Sequence, residues 1–221
     1  NFEINVSEHV NYFSIASIKV SLKDMKSFNH LDTIKFSLGS KISIYEENFD
    51  DNHSDWIFDE NWGYTNNPSL GEYALTDSPE GNYNPETDAS VLMNFDFDFS
   101  FIANPFISFL AQWDIEENYD FVKFQAYTEN DGWISLRGRH TVVGHGTPLQ
   151  PTDEFGYEGS QSSWVQEIIY LDQLGANDPL AFRFILTSDQ FVEGDGFIFD
   201  SFSINGFPLG SRGDFSSDGV V

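Results

Sequence analysis

At 221 residues, the chain is long enough to form one large domain around a single hydrophobic core. Hydrophobic residues make up 40% of it, with 23 Phe, 9 Tyr and 5 Trp, which excludes a disordered chain, and the lack of Cys excludes disulfides and thiolate metal sites. The 36 acidic and 10 basic residues give a formal charge of −26, and a field of that sign repels phosphate backbones and anionic lipids. We therefore expect no nucleic-acid partner.

The sequence also argues against insertion into a membrane. Its longest apolar run is FISFLAQW, far shorter than the roughly 20 residues that a spanning helix needs. The first residues do not combine a basic region with an apolar core, as a signal peptide would.

The first 45 residues differ in charge from the rest, because much of the chain's small stock of Lys lies there. The phrases IASIKVSL and TIKFSLGSKISIY alternate weakly and predict two strands. We interpret residues 1–45 as a short N-terminal β appendage or the end of a preceding domain. The alternative, that these strands belong to the main domain, stays open.

The stretch from Met93 to Thr128 predicts three consecutive strands, which we interpret as a meander. Its first part alternates phenylalanine with polar residues, the period of a strand with one buried face. Those residues are Phe95, Phe97, Phe99 and Phe101. The apolar run FISFLAQW follows, and then DFVKFQAYT resumes the alternation.

Further strands are predicted at residues 133–136 and 164–171 and in the phrases PLAFRFILTS and GFIFDSFSI, and no segment carries convincing helix caps. Between them lie turn-rich acidic loops, the densest of which begins after Glu46. The pattern predicts an all-β fold, a β-sandwich over residues 46–207 with a flexible tail over residues 208–221.

The order of several phrases resembles the jelly-roll accessory domain that follows the catalytic domain in secreted zinc carboxypeptidases and related metallopeptidases of Bacteroidetes. It is also similar, more distantly, to cleaved-adhesin and MAM jelly rolls. The phrases are ENFDDNHSDW, WGYTNNPSLGEYALTDSPEGNY, FLAQWDIEENYDFVKFQAYTENDGW, LRGRHT, YEGSQSSWVQEIIYLDQL, FRFILTSD and DGFIFDSFSI. The resemblance implies a non-catalytic jelly-roll module, secreted or at the cell surface, whose partner is a catalytic domain of the same polypeptide.

The resemblance also implies a calcium ion that joins the first strand of the jelly roll to the last. Carried over by position, its ligands are Asp50, Asp77 and Asp200, with Glu47 a further candidate. Ser201 stands where the family more often has a second Asp. Calcium takes six to eight hard oxygens, which an acidic loop and a distant Asp could supply, although the same carboxylates could equally be surface groups without an ion.

Aromatic residues in the long loop suggest a second function, binding of polysaccharide or cell-surface glycan. Trp62, Tyr64 and Tyr83 are the candidates for stacking on sugar rings. The alternative is that these rings cover the core as lids. A carbohydrate-binding or adhesive module is therefore the rival to the peptidase accessory domain.

Catalysis is not indicated. Gln112, Asp114 and Glu116 share one face of a predicted strand, where some jelly-roll glycoside hydrolases carry a row of carboxylates, but Gln112 occupies the nucleophile position and cannot attack an anomeric carbon. His140 and His145 lack the third ligand that a zinc site needs. The tripeptide at residues 212–214 spells Arg-Gly-Asp, which recurs by chance in Gly/Ser-rich tails.

Overall fold

The computed structural model describes residues 14–23, 29–38, 41–50, 55–59, 61–66, 70–93, 98–175 and 178–209, with the backbone alone for the first two ranges. These residues form fifteen strands and one short 3-10 helix, Leu171–Leu174. The strands are β1 Ser14–Lys23, β2 Asn29–Leu38, β3 Ile42–Glu47, β4 Trp56–Phe58, β5 Gly63–Asn66, β6 Tyr73–Thr76, β7 Asp88–Met93, β8 Ile102–Ile115, β9 Phe121–Thr128, β10 Gly132–Ser135, β11 Val142–Val143, β12 Phe155–Gly156, β13 Gly159–Tyr170, β14 Ala181–Thr187 and β15 Gly196–Pro208.

Two antiparallel sheets face each other across a shared core, so the predicted all-β sandwich is confirmed. The six-stranded sheet runs in the order β13, β8, β15, β6, β5, with β3 paired to the second half of β15. The five-stranded sheet runs in the order β10, β9, β14, β7, β4. Two small two-stranded sheets, β1 with β2 and β11 with β12, lie outside these layers.

Strands β8 and β9, which the alternating pattern joined into a meander, lie in different sheets. The meander is therefore wrong, although both strands form where their sequences predict them. The turn after Ile115 carries the chain from one layer to the other. Of the phenylalanine row predicted as a third strand, residues 98–101 form a turn and residues 94–97 lie outside the described part of the chain.

The core consists largely of phenylalanine rings contributed by both sheets. Phe184 on β14 lies 4.3 Å from Phe199 on β15 and 5.2 Å from Phe109 on β8, measured between ring centroids. Alternation places these rings inward from the two layers, and each buries a large apolar area in contact with its neighbours. This interlayer contact holds the two sheets at a fixed separation.

The N-terminal boundary differs slightly from the predicted one. Strand β3 pairs with β15, with Glu47 opposite Phe202, so the six-stranded sheet already begins at Ile42. Strands β1 and β2 form their own hairpin in register from Ser14 opposite Leu38 to Lys23 opposite Asn29. The tail was predicted to begin at residue 208, but Pro208 still belongs to β15, and the rest of the tail from residue 210, with its Arg-Gly-Asp tripeptide, lies outside the described residues.

No helix in the part of the chain that the structure describes has the length and apolar character needed to cross a bilayer.

Candidate functional site

A polar groove of about 300 Å³ lies on the outer face of the six-stranded sheet. Because Phe109, Ala111 and Trp113 of β8 point into the core, Gln112 and Asp114 point away from it. Ser160 is in register with Asp114, and Asp114 is in register with Gly196 of β15. Gly196 has a φ of +80°, and a side chain there would collide with the buried Asp77 carboxylate and with Ser78 Oγ, so the position requires glycine.

Four side chains along this groove keep their hydrogen-bonding capacity unused. Within the described residues, Gln112, Asp114, Ser160 and Ser162 make no side-chain hydrogen bond. Other lining residues are bonded, since Ser78 Oγ donates to the carbonyl of Asp195 and Gln161 Nε2 donates to the carbonyl of Ser163. A concave surface with several free donors and acceptors is suited to a ligand rich in hydroxyl groups.

The carboxylates of the groove do not form a glycosidase pair. Asp114 and Asp195 are both exposed, whereas a glycosidase keeps its general acid protonated in a shielded, apolar setting. Gln112 supplies an amide where a nucleophile would stand. Glu116, the third member of the predicted row, lies past the end of β8 and does not line the groove. The groove therefore does not present the pair of carboxylates that a glycoside hydrolase uses.

A second polar feature lies at one end of the sandwich, where the loop after β8 meets the loop after β14. Glu116, Asp120 and Asp189 place one carboxylate oxygen each within 4.8 Å of the others, and no other such trio of acidic or His ligands exists among the described residues. Asp120 is fixed by the N–H of Asp189 at 2.7 Å and by the Tyr83 hydroxyl at 2.7 Å. We call these three residues the acidic cluster.

The electrostatics of the acidic cluster favour a bound cation. Burial and the negative charges of Asp120 and Asp189 raise the pKa of Glu116, and burial likewise raises the pKa of Asp120. Glu116 Oε2 is fully buried and accepts no hydrogen bond from a described residue. A buried carboxylate oxygen without a donor costs free energy unless a proton or a cation compensates it. The cluster could therefore hold a metal ion.

The carboxylates predicted to bind calcium do not gather into one site of this kind. The first strand of the sandwich does lie beside the last, since Glu47 is opposite Phe202, two residues after Asp200. Asp50, however, accepts the N–H groups of Glu72 and Tyr73, and Asp77 accepts the N–H of Phe197 with both oxygens. Neither belongs to a trio of acidic or His side chains with ligand atoms within 4.8 Å of one another in the described part of the chain.

Two of the three aromatic residues predicted to stack on sugars are core residues. Trp62 is 4% exposed and packs against Phe184 and Phe199, and Tyr83 is 2% exposed. Neither ring has a face free for a ligand, so exposure was the wrong expectation for both. Tyr64 is partly buried and contacts Phe58 and Tyr73, 5.4 and 6.2 Å away between ring centroids.

The two histidines considered for zinc serve separate loop contacts. His145 Nε2 lies 2.8 Å from Glu158 Oε1, while the backbone N–H of His140 donates to Glu167. Glu167 is 1% exposed and also accepts the N–H groups of Arg139 and Ile168 and the Tyr157 hydroxyl. This carboxylate, which sequence reasoning missed, fixes the backbone of the loop before β11.

Comparisons with known proteins give distant structural similarities and no family. No family model matches the chain, and no curated protein sequence matches it. Among solved structures, the CBM22-1 xylan-binding domain of Paenibacillus barcinonensis Xyn10C is 10% identical with a TM-score of 0.45, covering 77% of this chain and 98% of that chain. The K3 cleaved adhesin domain of Lys-gingipain from Porphyromonas gingivalis is 11% identical with a TM-score of 0.35, covering 75% of this chain and 99% of that chain. These values are too low to transfer a function.

Proposed function

We propose that this chain is a non-catalytic carbohydrate-binding module of an exported protein, and that the groove on the six-stranded sheet is its glycan site. The observation that carries the proposal is the set of free polar side chains on a rigid sheet face. Gln112, Asp114, Ser160 and Ser162 offer amide, carboxylate and hydroxyl groups that no described residue satisfies. A sugar ring presents the complementary donors and acceptors around its rim.

The groove favours a neutral glycan. Its acidic side chains are Asp114 and Asp195, and the chain as a whole carries a formal charge of −26, so a polyanionic polysaccharide would be repelled. Ile198 contributes an apolar patch between Gln112 and Thr76, with which it is in register. An apolar floor with polar flanks suits the two kinds of surface on a sugar ring.

The test is binding of neutral polysaccharides such as xylan, mannan and β-glucan, screened by affinity electrophoresis and quantified by calorimetry. Each lost hydrogen bond is worth about 0.5–1.5 kcal/mol, so we expect Gln112→Ala and Asp114→Ala each to weaken binding by about 3- to 10-fold. Gln190→Ala is the matched control, because Gln190 is exposed and lies outside the groove.

Two outcomes would contradict the proposal. One is the absence of binding to any neutral glycan in a broad array. The other is binding that Gln112→Ala and Asp114→Ala leave unchanged, which would place the glycan elsewhere on the molecule.

We further propose that Glu116, Asp120 and Asp189 hold a calcium ion. Calcium prefers several hard oxygen ligands, and three carboxylates within 4.8 Å of one another supply the negative charge that attracts it. Bound there, the ion would neutralise the mutual repulsion of the three carboxylates. It would also join the loop after β8 to the loop after β14.

The resemblance to accessory domains of secreted metallopeptidases supports a finer proposal about the parent protein. In it, the partner is a catalytic domain of the same polypeptide, which this module stabilises or positions near its substrate at the cell surface. The coding sequence around this chain tests that idea directly. A zinc peptidase domain encoded there would support the proposal. If no such domain is encoded, the chain remains a carbohydrate-binding or adhesive module that is not attached to a peptidase.

A further inference from the structure

One cation on the opposite sheet has no acidic partner. Arg183 lies on β14 in the centre of the five-stranded sheet and points outward, since Phe182 and Phe184 point into the core. Its guanidinium carbon lies 4.1 Å from the centroid of the Trp133 ring, and its Nε donates to Gln125 Oε1 over 2.8 Å. Among the described residues it forms no ion pair.

This isolation is unexpected in a chain with 36 acidic residues. The acidic groups that act on Arg183 are Asp88 and Glu154, but neither lies within ion-pair distance, and Glu154 is bound by Lys123 Nζ at 2.7 Å. Burial lowers the pKa of Arg183, because the charged guanidinium has lost part of its hydration. A partly desolvated cation without a counter-charge costs free energy that an anionic ligand would recover.

The geometry around the guanidinium is fixed in advance. Gln125 is held in turn by donating its Nε2 to Ser135 Oγ over 3.0 Å, so its carbonyl oxygen stays directed at Arg183 Nε. The Nε–H is therefore used, and both terminal amino groups of Arg183 remain free of described acceptors. Those two groups form the fork that binds both oxygens of one carboxylate.

Beside the fork lies an aromatic surface. Tyr127 is 37% exposed, and its ring is 5.3 Å from that of Trp133 in an edge-on arrangement. Arg183 and Tyr127 lie on strands inside the sheet, not at its edge, so a main-chain contact with an added peptide strand is not available to them. The neighbouring flat rings suit a compact cyclic ligand.

We propose that Arg183, Trp133 and Tyr127 form a second binding site, for a sugar that carries a single carboxylate, such as a uronic acid residue. The carboxylate contacts the two free amino groups of Arg183, and the sugar ring lies against the exposed ring of Tyr127 and the partly buried ring of Trp133. The overall charge of −26 disfavours a polyanion, so the ligand bears its carboxylate as an isolated group on an otherwise neutral glycan. The site is independent of the groove, because it lies on the other sheet.

The test is titration of the protein with galacturonate and with galactose, which differ in the carboxylate. Binding is followed by NMR on the Trp133 indole N–H and the Arg183 Nε–H. Charge-assisted bidentate bonds are worth more than neutral ones, so we expect galacturonate to bind about 10-fold more tightly than galactose. Arg183→Gln should remove that preference. Arg137→Gln is the matched control, since Arg137 is exposed and its guanidinium lies 5.7 Å from the Phe155 ring centroid.

Two further variants separate the possible results. Arg183→Lys keeps the charge without the fork and should lose most of the preference, and it replaces Arg183→Gln if that protein fails to fold. Gln112→Ala should bind galacturonate as the unmodified protein does, even if it loses neutral glycans. Equal affinity for the two sugars, or an unchanged preference in Arg183→Gln, would overturn the proposal, and so would tighter binding of a short acidic peptide than of galacturonate.

Discussion

Tyr83 donates its hydroxyl to Asp120 Oδ2 over 2.7 Å, and the oxygen of the same hydroxyl accepts the N–H of Glu116 over 3.1 Å. One buried phenol thus joins the loop after β6 to the turn that connects the two sheets. We expect Tyr83→Phe to lower the free energy of unfolding by about 1–3 kcal/mol, because it leaves a buried carboxylate oxygen and a backbone N–H unsatisfied. Urea denaturation measures this change.

Tyr119→Phe is the control for that experiment. Tyr119 lies in the same turn but is 55% exposed, so losing its hydroxyl should change the free energy of unfolding by less than about 0.5 kcal/mol. Equal effects of the two substitutions would show that the Tyr83 contact does not stabilise the fold.

Calcium should raise the melting temperature through the acidic cluster. At a free calcium concentration of about 100 times the dissociation constant, binding adds about 2.7 kcal/mol, which corresponds to a rise of roughly 5–10 °C. We expect Asp189→Asn to abolish this increment. Melting curves recorded with calcium and with a chelator measure it.

Asp200→Asn distinguishes the acidic cluster from the calcium site predicted from the resemblance. If the ion binds at Glu116, Asp120 and Asp189, calcium should raise the melting temperature of Asp200→Asn as much as that of the unmodified protein. This holds even if Asp200→Asn melts at a lower temperature in the absence of calcium. Loss of the increment in Asp200→Asn but not in Asp189→Asn would instead place calcium between β3 and β15. If calcium does not raise the melting temperature of the unmodified protein, the proposal that the protein binds calcium is wrong.

The stability of the fold should depend on pH through Asp77. This carboxyl is 2% exposed, and burial raises its pKa to about 7, against about 3.9 in an unfolded chain. Between those values the folded state holds a proton that the unfolded state has released, so the free energy of unfolding falls as the pH rises from about 4 to 7, by up to roughly 4 kcal/mol.

Asp77→Asn should remove that part of the pH dependence, because the amide keeps an oxygen for the N–H of Phe197 and does not titrate. Urea denaturation gives the free energy of unfolding of both proteins at each pH in this range. Because the other carboxylates contribute equally to the two curves, the difference between the curves reports Asp77 alone. Parallel curves would show that Asp77 titrates at an ordinary pKa.

Trp62→Ala should destabilise the fold and leave ligand binding by the folded protein intact. Trp62 is buried against Phe184 and Phe199, and replacing a core Trp with Ala costs about 3–5 kcal/mol. Tyr170→Ala is the control, since Tyr170 is 55% exposed. Weaker glycan binding at unchanged stability would restore Trp62 to a ligand-binding role.

Strand positions could be predicted from the sequence because alternation is local. Phe182, Phe184 and Leu186 repeat every second residue, and β14 forms there. The sheet to which a strand belongs could not be predicted, because a strand in either layer of a sandwich has the same period. For that reason β8 and β9 were wrongly predicted to be neighbours in one sheet.

The acidic cluster could not be predicted because Asp189 is 69 residues away from Asp120 in sequence. They meet because β9 pairs with β14 and places Phe121 opposite Thr187, which brings the preceding Asp120 close to the following Asp189. That register was the missing information. Trp62 and Tyr83 were misjudged for a related reason, since a turn-rich sequence does not reveal which of its aromatic rings fold inward.

Strand β15 pairs with β8 along one edge and with β6 and β3 along the other. A ribosome that has translated this chain as far as Asp195 has therefore produced the other strands of this sheet but not the strand that pairs with β8, β6 and β3. The sheet cannot close until the segment after Asp195 emerges. Until then, the edge of β8 that pairs with β15 keeps its backbone N–H and C=O groups open to chaperones and to other chains.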